Sequence, residues 1–174
     1  MWASFTSGTY PFLKQLAERH KKETFYFMRQ ANRTLAYYEH KRRRSTFVSG
    51  KTYQIIDRFG QLDKKGYVTM EHIPLTDDGV RIFEERVRQL FPILVKRTGV
   101  VAMRFLKQRK KHEYVLLTLW EKKRYKELWE SSPFYKEENI QQFAQLSAYF
   151  LERPFTNDYY MVDEEDEEDL DSTW

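Results

Sequence analysis

The order of strand and helix signals after Gly66 is the feature that most restricts the fold of this chain. Residues 66–75 alternate as a strand, and an amphipathic pattern over 82–94 predicts a long helix. Two more strand patterns and a brief helix follow, then a helix over about 134–146 and a last strand within 148–161. The predicted order is β-α-β-β-α-β, which is that of the split βαβ motif.

The first half predicts a shorter version of the same order. Its elements are a strand at 2–6, a helix ending near His20, an aromatic hairpin at 24–30 and 34–40, a third strand at 44–49, and a short helix over 53–59. Two such units can pair their sheets into a closed barrel, which leaves no exposed sheet edge. We therefore expect an N-terminal half at 1–62 and a second unit at 63–162.

Charge separates the last residues from the rest of the chain. Eight acidic residues and no basic one lie from Asp163 onward, so a net charge of +4 becomes +12 for residues 1–162. Segment 163–174 is predicted to be a disordered acidic tail, either solubilising or folded back as a clamp on the basic body.

There is no cysteine and no apolar stretch long enough to span a membrane, so we expect a cytoplasmic protein without membrane partners.

Motif searches exclude several kinds of site. The sequence has no Gly-rich phosphate loop, no HExxH, no Cys/His cluster and no Gly-x-Ser-x-Gly elbow. Lys65-Gly66-Tyr67 imitates an RNA-recognition signature, but Thr69 and His72 stand where its aromatic residues belong, which argues against nucleic acid as a partner. Two basic runs, 41–44 and 109–111, are predicted loop tips or an anion-attracting rim.

Glu71 and His72 are adjacent on a predicted strand. Their side chains should therefore point to opposite faces of the sheet and cannot form one acid/base pair. His72 is either a pocket residue that binds a metal or an ordinary surface or core histidine.

The second half resembles an antibiotic-biosynthesis-monooxygenase (ABM) domain. The residues that carry the resemblance are Phe83–Arg86, Thr98–Val100, Tyr114–Glu121 and Leu128–Lys136, and in front of them Ser7–Leu13, Gly66-Tyr67 and Ile73–Gly79. This set is similar to a narrower group, the two-part haem-degrading monooxygenases (HmoB type) and the related TRAP proteins. The resemblance spans about residues 4–160 and leaves out the acidic tail.

The resemblance implies an α+β fold, a ferredoxin-like ABM domain fused to a similar N-terminal half as a dimeric-type α+β barrel within one chain. It also implies haem between the C-terminal sheet and its helices. The group's Asn, Trp and iron-binding His fall on Glu71, Trp120 and Asn139, which are thus the implied catalytic residues.

Four other residues complete the expected haem pocket: His72, Phe83, Val87 and Phe134. In addition, His72 is the candidate metal ligand. Two functions stay open. One is haem binding with oxidative ring opening and an external electron donor, and the other is a non-catalytic TRAP-like stress or interaction protein. The chain could act as a monomer or as a homodimer.

Overall fold

The computed structural model describes residues 1–108, 110–138 and 149–163, without the side chains of 136–138. The strands are β1 (Trp2–Gly8), β2 (Phe25–Gln30), β3 (Arg33–His40), β4 (Lys51–Phe59), β5 (Tyr67–Pro74), β6 (Val100–Gln108), β7 (Glu113–Trp120) and β8 (Phe155–Met161). The helices are α1 (Tyr10–Arg19), α2 (Asp77–Leu94), α3 (Lys123–Glu130) and α4 (Pro133–Glu138). None of the described helices is long and apolar enough to cross a membrane.

The strands close into one antiparallel barrel in the order β1-β3-β2-β8-β5-β7-β6-β4. Each half contributes four neighbouring strands, β4-β1-β3-β2 from the first and β8-β5-β7-β6 from the second. The halves meet at two seams, where β2 pairs with β8 and β4 pairs with β6. A closed barrel leaves no strand edge unpaired. The predicted α+β fold, two ferredoxin-like halves forming a barrel within one chain, is confirmed.

Two predictions for the first half were wrong. The segment expected as a helix over 53–59 lies in strand β4, and the expected strand at 44–49 is an irregular connection. β4 pairs with β1 on one side and β6 on the other, so hydrogen bonds to distant strands determine its conformation. The register shifts between Ile55 and Asp57, and this irregularity breaks the period-two pattern that would have marked a strand.

The two halves repeat a local arrangement across the barrel. Trp2 of β1 lies opposite His40 of β3, just as Tyr67 of β5 lies opposite Trp120 of β7. In the first half, Ser4 Oγ of β1 and His40 Nε2 of β3 share a hydrogen bond of 2.8 Å. The residues in the same positions of the second half are Thr69 and Trp120, and Trp120 Nε1 donates to Thr69 Oγ1 at 3.2 Å. The first half has no helix between its third and fourth strands, so α3 and α4 have no counterpart there.

Helix α2 packs its apolar side on the outer face of the second half-sheet. It continues two residues past Pro92, to Leu94. Glu84 joins it to the sheet by accepting hydrogen bonds from Lys107 Nζ (2.8 Å) and Tyr114 Oη (2.5 Å). Burial raises the pKa of Glu84, but these hydrogen bonds together with the charges of Lys107 and Arg88 lower it by more, so the net shift is downward.

Other expectations lie partly outside the described residues. Of the helix predicted over 134–146, only the first five residues are described, and they belong to α4 (Pro133–Glu138). The predicted acidic tail lies outside the described residues from residue 164 onward. Asp163 forms an ion pair with Lys65 at 3.2 Å. The boundary between the N-terminal half and the second unit, between residues 62 and 63, stays a prediction.

Candidate functional site

A polar cavity of about 230 Å³ lies on the outer face of the second half-sheet, beneath α3. We call it the Trp120 pocket. Its lining residues come from strands β5, β7 and β8, from the segment after α2, and from helices α3 and α4: Thr69, Glu71, Arg97, Thr118, Trp120, Lys126, Trp129, Glu130, Tyr135, Thr156 and Asp158.

Trp120 forms one wall of the pocket as the last residue of β7. Its side chain is 1% exposed, and alternation along the strand directs it toward the helices. The indole N–H donates to Thr69 Oγ1, which satisfies the one polar atom of this buried ring.

Arg97 occupies the space between two tryptophan rings. Its guanidinium carbon lies 4.7 Å from the ring centre of Trp120 and 4.6 Å from that of Trp129, both within the range of cation–π attraction. Arg97 Nε donates to the carbonyl oxygen of Leu94 at 2.7 Å, which fixes the side chain at the end of α2. Burial lowers the pKa of Arg97 to about 10, against the opposite influence of Glu71.

Glu71 faces the pocket from the middle of β5. Its carboxyl group has no hydrogen bond among the described residues, although Arg97 and Lys126 are near enough to interact with it electrostatically. The pKa of Glu71 is raised to about 7, chiefly by burial; the nearby Glu130 and Asp158 also raise it, whereas Arg97 and Lys126 lower it.

Lys126 joins the other two acidic residues of the pocket. Its ammonium group lies 2.9 Å from Glu130 and 3.0 Å from Asp158. Asp158 Oδ2 also accepts a hydrogen bond from Tyr67 at 2.7 Å. The pocket thus holds two cations and three carboxyl groups, and Glu71 is the carboxyl group without a hydrogen bond inside the described part of the chain.

The structure brings together only some of the residues that the sequence analysis proposed. Trp120 and Glu71 line the Trp120 pocket, and Phe134 lies at its edge, 37% exposed, with its ring 5.7 Å from Trp129. Phe83 and Val87 do not line it, because both are packed in the core beneath α2.

His72 does not share this pocket with Trp120. As the alternation of β5 predicted, its side chain points to the opposite face of the sheet, toward the inside of the barrel. Asn139, the residue at the position of the group's iron ligand, lies outside the described residues. Within the described ranges, no group of three or more His, Asp or Glu side chains could hold a metal ion.

Sequence reasoning missed Arg97, Lys126 and Asp158 as site residues. Lys126 belongs to a charged helix whose surface residues look alike in sequence, and Asp158 lies in a strand without clear alternation. Arg97 follows α2 in a segment with no periodic pattern. A signal existed for four other lining residues, which belong to the runs Tyr114–Glu121 and Leu128–Lys136 that carried the resemblance: Thr118, Trp129, Glu130 and Tyr135.

Comparison with known proteins supports the fold. No model of a protein family matches the sequence. A staphylococcal protein described as a major regulator of pathogenesis superposes with a TM-score of 0.83 at 18% identity, over 94% of this chain and 100% of that one.

Two proteins of Listeria monocytogenes are also similar in structure. A ferredoxin-fold protein related to antibiotic biosynthesis monooxygenases gives a TM-score of 0.77 at 20% identity, over 93% of this chain and 94% of that one. A haem-degrading enzyme gives 0.74 at 20% identity, over 93% and 100%. The chain therefore has the ferredoxin-like barrel fold of the monooxygenase-like proteins that its sequence resembles.

Proposed function

We propose that this chain is a non-catalytic binding protein on a monooxygenase-like fold, and that its Trp120 pocket binds a small organic cation. The observation that carries this proposal is the Glu71 carboxyl group, which faces the cavity without a hydrogen bond among the described residues. A bound ammonium or amidinium group would donate to this carboxyl group and stabilise its ionised form, which burial disfavours. Trp129 and Tyr135 would provide aromatic contact area for the ligand.

The described residues of the Trp120 pocket do not fit haem. The guanidinium of Arg97 covers one face of Trp120 and so takes up stacking surface inside the pocket. The volume of about 230 Å³ is below the range of roughly 300–1,000 Å³ usual for drug-sized ligands. Among the described residues that line the pocket there is no histidine, cysteine or methionine, the side chains that most often bind haem iron. These features favour the non-catalytic alternative over ring opening.

Titration with benzylammonium, followed by tryptophan fluorescence, tests the proposal, with uncharged benzyl alcohol as the matched ligand. We expect saturable binding of benzylammonium that weakens about tenfold in Glu71→Gln, the effect of losing one charge-assisted hydrogen bond. Glu127→Gln is the control, because Glu127 lies on α3 but outside the pocket. Equal binding of both ligands, or equal loss in both variants, would show that Glu71 does not recognise a cation.

A second assay addresses haem directly. We expect that the protein incubated with hemin and ascorbate does not convert haem to ring-opened products. Ring opening that is lost in Trp120→Phe but kept in Trp129→Phe would overturn the non-catalytic assignment. It would also identify the Trp120 pocket as the haem site.

A further inference from the structure

A larger cavity opens at one end of the barrel, on the opposite side of β5 from the Trp120 pocket. Its volume is about 500 Å³, which is within the range of small-molecule sites. Six apolar and aromatic side chains from five strands line it: Phe5, Leu35, Tyr53, Met70, Phe155 and Tyr159. Because Phe5, Tyr53 and Met70 also belong to the barrel core, the bottom of the cavity is rigid and apolar. We call it the barrel-end cavity.

His72 lies in the wall of this cavity with no hydrogen bond. Both of its ring nitrogens are buried and have no partner among the described residues. Nδ1 lies 3.6 Å from Glu113 Oε1, beyond hydrogen-bond distance, although His72 is near enough to lower the pKa of the Glu113 carboxyl group. Phe155, 49% exposed, stacks on one face of the imidazole ring with the ring centres 4.7 Å apart. A buried polar side chain without a partner costs free energy, so a ligand that supplies the partner would be bound more tightly.

The charged side chains that line the barrel-end cavity are both positive. They are Arg33 and Lys51, and none of the lining residues is acidic. The Glu113 carboxylate lies next to three of the lining residues, Lys51, Tyr53 and His72. Lys51 lies 3.4 Å from Glu113, which partly balances its charge. Arg33 has no ion pair among the described residues and is exposed at the start of β3, where a ligand entering the cavity would pass it. The mouth of the cavity therefore carries one positive charge that no described side chain balances.

An apolar floor, an imidazole without a hydrogen bond and an unbalanced guanidinium at the mouth together define the complementary ligand. From this arrangement we propose that the barrel-end cavity binds a flat apolar molecule carrying one carboxylate or sulfonate group. The flat body lies on the aromatic wall, and the anionic group accepts hydrogen bonds from Arg33. This site is independent of the cation site proposed for the Trp120 pocket, because the sheet separates them.

Fluorescence titration of the full chain with anilinonaphthalene sulfonate tests the proposal. The matched probe is phenylnaphthylamine, which has the same rings without the sulfonate. We expect one saturable site that binds the sulfonate probe about tenfold more tightly than the uncharged one, the size of one charge-assisted hydrogen bond. Arg33→Gln should remove that difference by weakening only the sulfonate probe. Arg58→Gln is the control, since Arg58 is exposed at the other end of β4 and should leave both titrations unchanged.

A second variant tests the position of the ligand body. Leu35→Trp, which fills the cavity, should abolish binding of both probes; if it fails to fold by circular dichroism, the Arg33→Gln comparison decides alone. Equal affinities for the two probes, or equal effects of Arg33→Gln and Arg58→Gln, would overturn the proposal. Glu71→Gln should not change either titration, so a failure of the Trp120 pocket proposal is distinguishable from a failure here.

Discussion

Replacement of Arg104 by methionine should destabilise the seam between the two halves of the barrel. Arg104 lies on β6, is 3% exposed, and its Nε is 2.5 Å from Glu39 Oε1 on β3. Its Nη1 also donates to the main-chain oxygens of Phe59 and Met103, each at 2.8 Å. Methionine would leave the Glu39 carboxylate and two carbonyl groups without these donors.

The expected loss can be estimated from the burial of the pair. Removing one partner of a buried ion pair costs about 3–5 kcal/mol, and the 16% exposure of the Glu39 side chain places this case near the lower end. For a chain of this size, about 3 kcal/mol corresponds to a fall of roughly 6–12 °C in the melting temperature. The free energy of unfolding from urea titration and the melting temperature from circular dichroism measure the effect.

Two further variants distinguish loss of the ion pair from loss of packing. Arg104→Met combined with Glu39→Gln removes the uncompensated charge, so it should recover about half of the stability lost in Arg104→Met alone. Arg88→Met is the control, because Arg88 pairs with Glu85 on the exposed side of α2 and such pairs contribute less than about 1 kcal/mol. A loss below about 1 kcal/mol in Arg104→Met, equal to that control, would refute the reasoning.

Two other substitutions test the packing of the second half. Because the pKa of Glu84 is lowered in the folded state, its contribution to stability is complete above the unfolded pKa and is lost as pH falls through the folded pKa. Urea titrations should therefore show that Glu84→Gln costs about 1–2 kcal/mol at pH 7 and less in acid; a loss independent of pH would contradict this. Gly99→Ala should lower the free energy of unfolding by at least about 2 kcal/mol, because Gly99 has a φ of +85° and a Cβ there would lie 2.2 Å from the Tyr125 ring. Gly8→Ala is the matched control, as its Cβ would meet no atom closer than 3.5 Å, and an equal loss in both would count against strain at Gly99.

Local patterns in the sequence were sufficient for most of the second half. The alternation through residues 67–74 placed Glu71 and His72 on opposite faces of β5, and the structure puts them in two different cavities. The apolar spacing of 82–94 predicted α2, because one helix face must be buried and the sequence shows which. These features depend on residues only a few positions apart in the sequence, so the sequence alone is enough to predict them.

Contacts between distant segments decided the rest. Strand β4 looks helical or irregular by itself and becomes a strand because β1 and β6 provide hydrogen-bond partners on both sides. Arg97 could not be assigned to a site from its position in the sequence, because the tryptophan rings on either side of it, Trp120 and Trp129, belong to β7 and α3. The barrel-end cavity likewise exists only where six strands from both halves meet. The sequence thus determined most elements of the second half and the faces of their side chains, whereas barrel closure decided strand β4 and which faces meet, because pairing across the seams has no local pattern.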